Sequence, residues 1–131
     1  MTPAIFGIAG TALGADERAF FKDADPAGYI LFARNCESKD QLRALTDELR
    51  AIHGRDRLVI SIDQEGGRVA RMKPPVWQAY PAGEAFAALW DVAPASAIEA
   101  ARANAEAMGR ELAAMGVTVD FHAPFDVRRP E

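Results

Sequence analysis

The sequence of 131 residues contains a single cysteine and no long apolar run. With only Cys36, an intrachain disulfide is impossible and a cysteine-based metal site is not expected. No stretch approaches the roughly 18 consecutive apolar residues that read as a membrane-spanning helix. The opening residues, MTPAIFGIAGTALG, lack the basic and apolar regions of a signal peptide. These absences predict a cytoplasmic protein that has no membrane partner.

An excess of basic residues is also absent. Lys and Arg number 15 against 19 Asp and Glu, which gives a formal net charge of −4. Because nucleic-acid-binding proteins carry a basic footprint, we expect no nucleic-acid partner. Hydrophobic residues make up 50% and charged residues 26% of the chain, the balance of a soluble globular protein. The length is sufficient for one ordinary domain with its own core.

Apolar runs typical of β-strands alternate with helical patterns along the chain. The runs occupy residues 5–9, 29–32, 58–62 and 117–126. Helices are predicted around residues 17–23, after Ser38, over residues 83–90 and after Ser96. This alternation predicts βαβ units and a parallel α/β sheet. Two architectures have right-handed crossovers of this kind, a doubly wound sheet and a (β/α)8 barrel, of which this chain could be part. Hydrophobic periodicity does not distinguish the two.

Two positions have the spacing of a capping box, in which two side chains satisfy free backbone amides at a helix start. Ser38 is followed by Gln41, and Ser96 is followed by Glu99. Gly54 is placed to end the first of these helices with a positive φ. The stripe expected to be buried on the second helix, which should end at Gly116, consists of Ile98, Ala101, Ala105, Met108, Leu112 and Met115.

The most informative polar residues follow the third apolar run. Asp63 ends this run, and Glu65, a Gly66-Gly67 pair, Arg68 and Arg71 come after it. In parallel α/β folds, the carboxyl ends of the strands carry the functional side chains. Two adjacent glycines permit a sharp turn with positive φ. A carboxylate and a guanidinium that converge on one pocket would suit a sugar, because together they accept and donate hydrogen bonds.

The same residues allow a purely structural interpretation. In that case Asp63 caps the following segment and forms an ion pair with Arg68 or Arg71. The glycine pair is not a phosphate-binding P-loop, because no Lys-Ser or Lys-Thr follows it. Position and chemistry alone leave the structural and the sugar-binding interpretations open.

Residues 62–72, IDQEGGRVARM, resemble the substrate-binding loop of the glycoside hydrolase family 3 β-N-acetylhexosaminidases. The resemblance extends to residues 28–35, GYILFARN, which look like the second strand and its loop. Residues 117–127, VTVDFHAPFDV, look like the fourth strand of the family. The resemblance therefore covers nearly the whole chain. It implies a (β/α)8 barrel, a fold of about 250 residues, of which this chain supplies the first half with about four βα units.

The resemblance also implies roles for individual residues. Asp63 and Arg71 are the expected substrate-binding residues, whereas Glu65 and Arg68 are expected to shape the loop. Residues 1–131 would form the N-terminal part of the barrel domain and would end before the catalytic motifs. No catalytic residue is therefore assigned to this chain. The resemblance implies no metal and no organic cofactor.

The implied activity is that of a retaining exo-β-N-acetylhexosaminidase that releases terminal β-linked N-acetylglucosamine, as in cytoplasmic recycling of cell-wall fragments. A β-glucosidase-like member of the same superfamily and a non-catalytic sugar-binding remnant are the alternatives. The isolated chain is expected to be inactive. It is also expected to self-associate, because a half-barrel exposes two strand edges.

The two histidines, and the pair formed by Asp63 and Glu65, require an interpretation. His53 lies at the end of a helix, where it could interact with the helix dipole or be solvated. His122 departs from the family pattern and could face the barrel interior. Asp63 and Glu65 could themselves form the carboxylate pair that glycosidases use, although the resemblance gives them other roles.

Overall fold

The computed structural model describes residues 1–122, in which four strands alternate with helices. The strands are β1 (Thr2–Gly7), β2 (Pro26–Leu31), β3 (Val59–Ile62) and β4 (Val119–Asp120). The helices are α1 (Ala15–Ala24), α2 (Lys39–His53), α3 (Gly83–Val92) and α4 (Pro94–Ala114). A short 3-10 turn at Ala33–Asn35 follows β2. The predicted continuation of the fourth strand beyond His122 lies outside the described residues.

The order of the strands decides between the two predicted architectures. All neighbouring strands are parallel, and they lie in the order β1-β2-β3-β4. In a doubly wound sheet, the direction of winding reverses at a switch point between strands. Here each strand pairs with the next one in the chain, as the strands of a (β/α)8 barrel do. The prediction of about four βα units from the first half of such a barrel is confirmed.

The two faces of the sheet differ in burial. Tyr29 and Ile60 are paired in the register of β2 and β3, and both side chains are completely buried. The ring of Tyr29 packs edge-on against Phe21 of α1, with 4.8 Å between the centroids, so this face points towards the helices. On β1 and β4, Ile5 and Val119 are 47% and 37% exposed. In a closed barrel, a strand face that points away from the helices is the barrel interior.

Helix α2 forms as the sequence predicts. The Oγ of Ser38 accepts a hydrogen bond from the backbone amide of Gln41 at 3.2 Å, and the Gln41 side chain accepts from the Ser38 amide at 3.4 Å. Gly54 follows the last residue with a φ of 59°, which glycine adopts without steric cost. The apolar face of the helix packs into the core through Leu42, Leu45 and Leu49.

Helix α4 begins three residues earlier than predicted. Its first residue is Pro94, so Ser96 lies inside the helix and the predicted capping box with Glu99 is wrong. Proline is favoured at the first helical position because its fixed φ suits a helix and its missing amide would be unpaired there. Met108, Leu112 and Met115 are buried as expected.

Two positions in the first half of the predicted α4 stripe are also wrong, whereas Ala101 is partly buried. Ile98 is 50% exposed and Ala105 is exposed, whereas Ala97 is buried. A single residue, Ala93, separates α3 from α4, and the two helices contact each other. Within residues 1–122, none of the helices combines the length and apolarity that crossing a bilayer requires.

Candidate functional site

Asp63 and Arg71 meet at the carboxyl end of β3. Asp63 is the first residue after the strand, and its Oδ2 accepts a hydrogen bond from Nη2 of Arg71 at 2.8 Å. The side chains of Asp63 and Arg71 are 25% and 28% exposed, so both remain within reach of a ligand. A carboxylate and a guanidinium therefore meet at this strand end, and their role in binding substrate stays a prediction. The ion pair of the structural interpretation is also present, and Arg71 rather than Arg68 forms it.

Gln64 fixes the position of Arg71. The side chain of Gln64 is 1% exposed, and its Oε1 accepts hydrogen bonds from the backbone amides of Arg71 at 2.8 Å and Met72 at 3.1 Å. Its Nε2 donates to the carbonyl oxygen of Met72 at 2.9 Å. A buried amide that makes three hydrogen bonds holds the returning chain beside the end of β3. Gln64 was not among the predicted site residues.

Residues 65–69 form a tight hairpin between Asp63 and Arg71. The backbone amides of Glu65 and Gly66 donate to the carbonyl oxygen of Val69 at 2.9 Å and 3.1 Å. Gly66 and Gly67 have φ values of 90° and 59°, so the predicted glycine turn with positive φ is confirmed. A Cβ on Gly66 would overlap the carbonyl oxygen of Pro81. Because glycine has no Cβ, the hairpin can pack directly against the chain before α3.

An aromatic ring from the end of β2 lies beside the ion pair. The guanidinium carbon of Arg71 lies 5.8 Å from the centre of the Phe32 ring, and that of Arg34 lies 4.7 Å from it. Asn35 holds this segment in place, because its Oδ1 accepts from the amide of Phe32 at 2.8 Å. Its Nδ2 donates to the carbonyl oxygen of Ile8 at 3.0 Å, which ties the turn to the end of β1. These residues were not among the predicted site residues.

A further carboxylate comes from β4. Oδ1 of Asp120 accepts a hydrogen bond from the backbone amide of Gln64 at 2.9 Å and so joins the ends of β3 and β4. Burial raises the pKa of Asp120, and the carboxylates of Asp63 and Glu65 act in the same direction. The hydrogen bond from Gln64 and the charge of His122 oppose this rise. Three carboxyl groups therefore lie at the carboxyl edge of the sheet.

A cleft of about 650 Å³ adjoins the hairpin on the side of β4. We call it the hairpin cleft, and its lining consists of Glu65, Gly66, Gly67, Arg68, Val69, Ala82, Gly83, Glu84 and His122. The Nδ1 of His122 is buried and has no hydrogen-bond partner among the described residues. Within the described part of the chain, no group of three or more His, Cys, Asp or Glu side chains is arranged to hold a metal ion.

His53 lies away from this site, and of its two interpretations the solvated one is wrong. Its side chain is 3% exposed, because the end of α2 packs over β2. The Nε2 of His53 lies 2.6 Å from the hydroxyl oxygen of Tyr29, and its Nδ1 lies 3.3 Å from Oδ1 of Asp25. The residue therefore contributes to the packing of the helix layer.

The sequence matches known proteins over nearly its whole length. Residues 7–130 match the family described as Glycosyl hydrolase family 3 N terminal domain. A β-hexosaminidase of Alkalilimnicola ehrlichii is 39% identical over 127 residues, which cover 97% of this chain and 36% of that protein. A β-hexosaminidase of Xanthomonas campestris pv. campestris is 38% identical over 125 residues, covering 95% of this chain and 37% of that protein. The chain thus spans just over a third of the length of these relatives.

Solved structures give the same result. NagZ from Neisseria gonorrhoeae, in complex with N-trifluoroacetyl-D-glucosamine, superposes with a TM-score of 0.72 at 30% identity, covering 94% of this chain and 36% of that one. A glycoside hydrolase family 3 β-N-acetylglucosaminidase from Paenibacillus sp. str. FPU-7 superposes with a TM-score of 0.79 at 32% identity. The superposition covers 92% of this chain and 22% of that one.

Proposed function

Because the chain belongs to glycosyl hydrolase family 3, we propose that it forms the substrate-binding N-terminal part of a retaining exo-β-N-acetylhexosaminidase. The enzyme would release terminal β-linked N-acetylglucosamine from cell-wall fragments in the cytoplasm. The names of the relatives support a hexosaminidase, and the glucosamine derivative bound to the gonococcal protein supports a small sugar ligand. The observation that carries the proposal is the partly exposed Asp63–Arg71 pair at the carboxyl edge of the sheet.

The pair is suited to recognising sugar hydroxyl groups. The carboxylate of Asp63 accepts hydrogen bonds from hydroxyl groups, and the guanidinium of Arg71 donates them. Their mutual contact at 2.8 Å and the backbone contacts of Gln64 orient both side chains before a ligand arrives. Such preorganisation lowers the entropic cost of binding. The ring of Phe32 provides an apolar wall beside the guanidinium.

The chemical step requires groups that this chain does not supply. Glycoside cleavage with retention needs a nucleophile and an acid/base residue. In this proposal, Asp63 and Arg71 bind substrate, Glu65 and Arg68 shape the hairpin, and both catalytic groups come from the part of the barrel beyond residues 1–131. An isolated chain of residues 1–131 would therefore turn over no glycoside.

The proposal is tested on the complete protein that contains residues 1–131. The coding sequence beyond Glu131 is read first, and the full product is then purified and assayed with an aryl β-N-acetylglucosaminide and the matching aryl β-glucoside. We expect turnover of the N-acetylglucosaminide and little turnover of the glucoside. Preference for the glucoside would support the β-glucosidase-like alternative. A reading frame that stops early and a product that binds N-acetylglucosamine without turnover would support the sugar-binding remnant.

A further inference from the structure

The ring of Phe32 links the end of β1 to the Asp63–Arg71 pair. The guanidinium carbon of Arg71 lies 5.8 Å from the centre of this ring, and that of Arg34 lies 4.7 Å from the same centre. Both distances fall within the range of about 6 Å over which an aromatic ring attracts a cation. On the side of β1, a Cβ on Gly7 would lie 3.5 Å from Cε2 of the ring. Two arginines therefore share one ring at the carboxyl edge of the sheet.

Hydrogen bonds alone do not fix the guanidinium of Arg71. A guanidinium carries several N–H donors. Among the described residues, that of Arg71 makes one hydrogen bond, from Nη2 to Oδ2 of Asp63 at 2.8 Å. Its Nε is buried and has no hydrogen-bond partner in the same part of the chain. Because a single hydrogen bond leaves a planar group free to turn about that contact, the ring of Phe32 is the second contact that limits its orientation.

Arg34 is anchored to the backbone of β1 and not to a carboxylate. Its side chain is exposed, and within residues 1–122 it forms no ion pair. The Nε of Arg34 donates to the carbonyl oxygen of Ile8 at 2.8 Å, and the same oxygen accepts from Nδ2 of Asn35 at 3.0 Å. A Cβ on Gly7 would lie 3.2 Å from Nη2 of Arg34, so the glycine leaves room for the guanidinium. The end of β1 therefore holds Arg34 against the ring.

We propose that Arg34 is a positioning residue, which holds the ring of Phe32 beside Arg71 and so fixes the orientation in which Arg71 meets the sugar. The inference rests on the proposed function, because it requires Arg71 to bind substrate. Arg34 itself does not contact the sugar, and its effect passes through the ring. Binding groups keep a productive geometry only when neighbouring side chains lock their rotamers. Loss of Arg34 would free the ring and, with it, the guanidinium of Arg71.

The test is a double-mutant cycle on the complete protein, with kcat/KM measured for an aryl β-N-acetylglucosaminide. Arg34→Ala should lower kcat/KM about three- to thirtyfold, the range expected for one cation–ring contact. In an Arg71→Ala background, the same substitution should lower kcat/KM less than about twofold, because the residue through which Arg34 acts is absent. Losses that multiply would show that Arg34 acts independently of Arg71, and they would overturn the proposal.

Substitutions of the ring test the same link. Phe32→Leu removes the aromatic face and should lower kcat/KM by a factor similar to that of Arg34→Ala. Phe32→Tyr keeps the ring and should stay within about threefold of the wild type. Equal losses in the two ring variants would show that the aromatic face is not the link and would overturn the proposal. A lower melting temperature with unchanged kcat/KM in the folded fraction would show a purely structural role and overturn it as well.

Controls separate the failure of this inference from the failure of the proposed function. Arg102→Ala removes an exposed arginine on α4 and should leave kcat/KM unchanged. Melting curves check the folding of each variant, and Arg34→Ala is expected to fold because the side chain is exposed. A large loss in Arg71→Ala without any loss in Arg34→Ala would overturn the inference alone. Wild-type protein without turnover, or Arg71→Ala with wild-type kcat/KM, would reject the proposed function and the inference with it.

Discussion

The hydroxyl oxygen of Tyr29 lies 2.6 Å from Nε2 of His53 in the layer between the sheet and the helices. The other ring nitrogen of His53 lies 3.3 Å from the carboxylate of Asp25. Because a carboxylate only accepts hydrogen bonds, the neutral imidazole carries its proton on Nδ1, and Nε2 accepts the hydroxyl proton of Tyr29. Burial raises the pKa of Tyr29 to about 12, so the phenol stays protonated in this arrangement. The three side chains connect the end of α1, the strand β2 and the end of α2.

This arrangement predicts a loss of stability in mild acid. Burial lowers the pKa of His53 below its usual value of 6.5, the charge of Arg55 acts in the same direction, and Asp25 opposes both. As the pH falls below 6.5, His53 therefore takes up a proton more readily in the unfolded chain than in the folded chain. We expect the free energy of unfolding to decrease as the pH falls through this range. Asp25, whose pKa is lowered mainly by its hydrogen bond to the terminal ammonium group, loses its contribution only below its usual value of 3.8.

The measurement is denaturant unfolding at a series of pH values from about 7.5 to about 5, where histidine titrates. His53→Gln keeps a hydrogen-bonding side chain and removes the titrating group, so the pH dependence should flatten. The chain contains two histidines, which makes His122→Gln the matched control. If His122→Gln flattens the curve and His53→Gln does not, the assignment to His53 is wrong.

Much of the site could be predicted because its residues are close together in the sequence. Asp63 directly follows an apolar run, and eight residues later Arg71 returns to it across a turn that the two glycines permit. Strand ends and glycine turns are local features, so a single sequence specifies them. Local sequence features did not distinguish a barrel from a doubly wound sheet. Family resemblance predicted it, and the strand order confirmed it.

The remaining parts of the site depend on contacts between distant segments. Asn35 reaches the carbonyl oxygen of Ile8 across 27 positions, and Asp120 reaches the amide of Gln64 across 56. Hydrophobic periodicity does not specify such polar contacts, because it reports only which face of an element is buried. The exposed position of Ile98 likewise departs from what helical periodicity alone predicted.

A second prediction concerns the hairpin glycines. Gly66→Ala should destabilise the protein more than Gly54→Ala does. Both positions have a positive φ, at which a side chain costs roughly 1–2 kcal/mol. At Gly66 the added Cβ would also overlap the carbonyl oxygen of Pro81, whereas nothing lies within 4 Å of a Cβ at Gly54. Chemical denaturation of the two variants measures the difference. Equal losses would show that the hairpin moves away from Pro81 at little cost.

A third prediction concerns an isolated chain of residues 1–131. Among the described residues, β1 and β4 each pair with a strand on one side, and their side chains Ile5 and Val119 are 47% and 37% exposed. Unpaired strand edges and apolar faces favour association. We expect this chain to self-associate in sedimentation velocity as its concentration rises, and Val119→Lys to reduce the association. A stable monomer with a cooperative melt would contradict this expectation.

The same sample tests whether residues 1–131 contain a catalytic pair. We expect no turnover of an aryl β-N-acetylglucosaminide, because neither of the two groups required for retention is assigned to this chain. The assay uses the same preparation whose state of association has been measured by sedimentation. Turnover that disappears in Asp63→Ala would revive Asp63 and Glu65 as the carboxylate pair.

The last prediction concerns Asp63 in the complete protein. In the proposed function, Asp63 accepts hydrogen bonds from sugar hydroxyl groups without taking part in bond cleavage. A hydrogen bond to a charged group contributes about 1.5–3 kcal/mol. Since each 1.36 kcal/mol is a factor of ten, losing one or two such bonds in Asp63→Ala should lower kcat/KM about ten- to several-thousand-fold. Asp63→Asn keeps the shape and should lose less. Arg71→Lys should also lower kcat/KM, because an ammonium group does not reproduce the planar guanidinium.

The structural interpretation of Asp63 makes a different prediction for the same variants. If Asp63 only held the turn through Arg71, Asp63→Asn would cost roughly 1 kcal/mol of stability and leave kcat/KM unchanged in the folded fraction. Melting temperature and kcat/KM are therefore measured on one sample of Asp63→Asn. Arg43→Gln is the matched control, because it breaks an exposed ion pair with Asp47 on α2, far from the sheet edge. A clear fall in kcat/KM at an almost unchanged melting temperature would place Asp63 in contact with the sugar, whereas near-wild-type kinetics would remove it from the site.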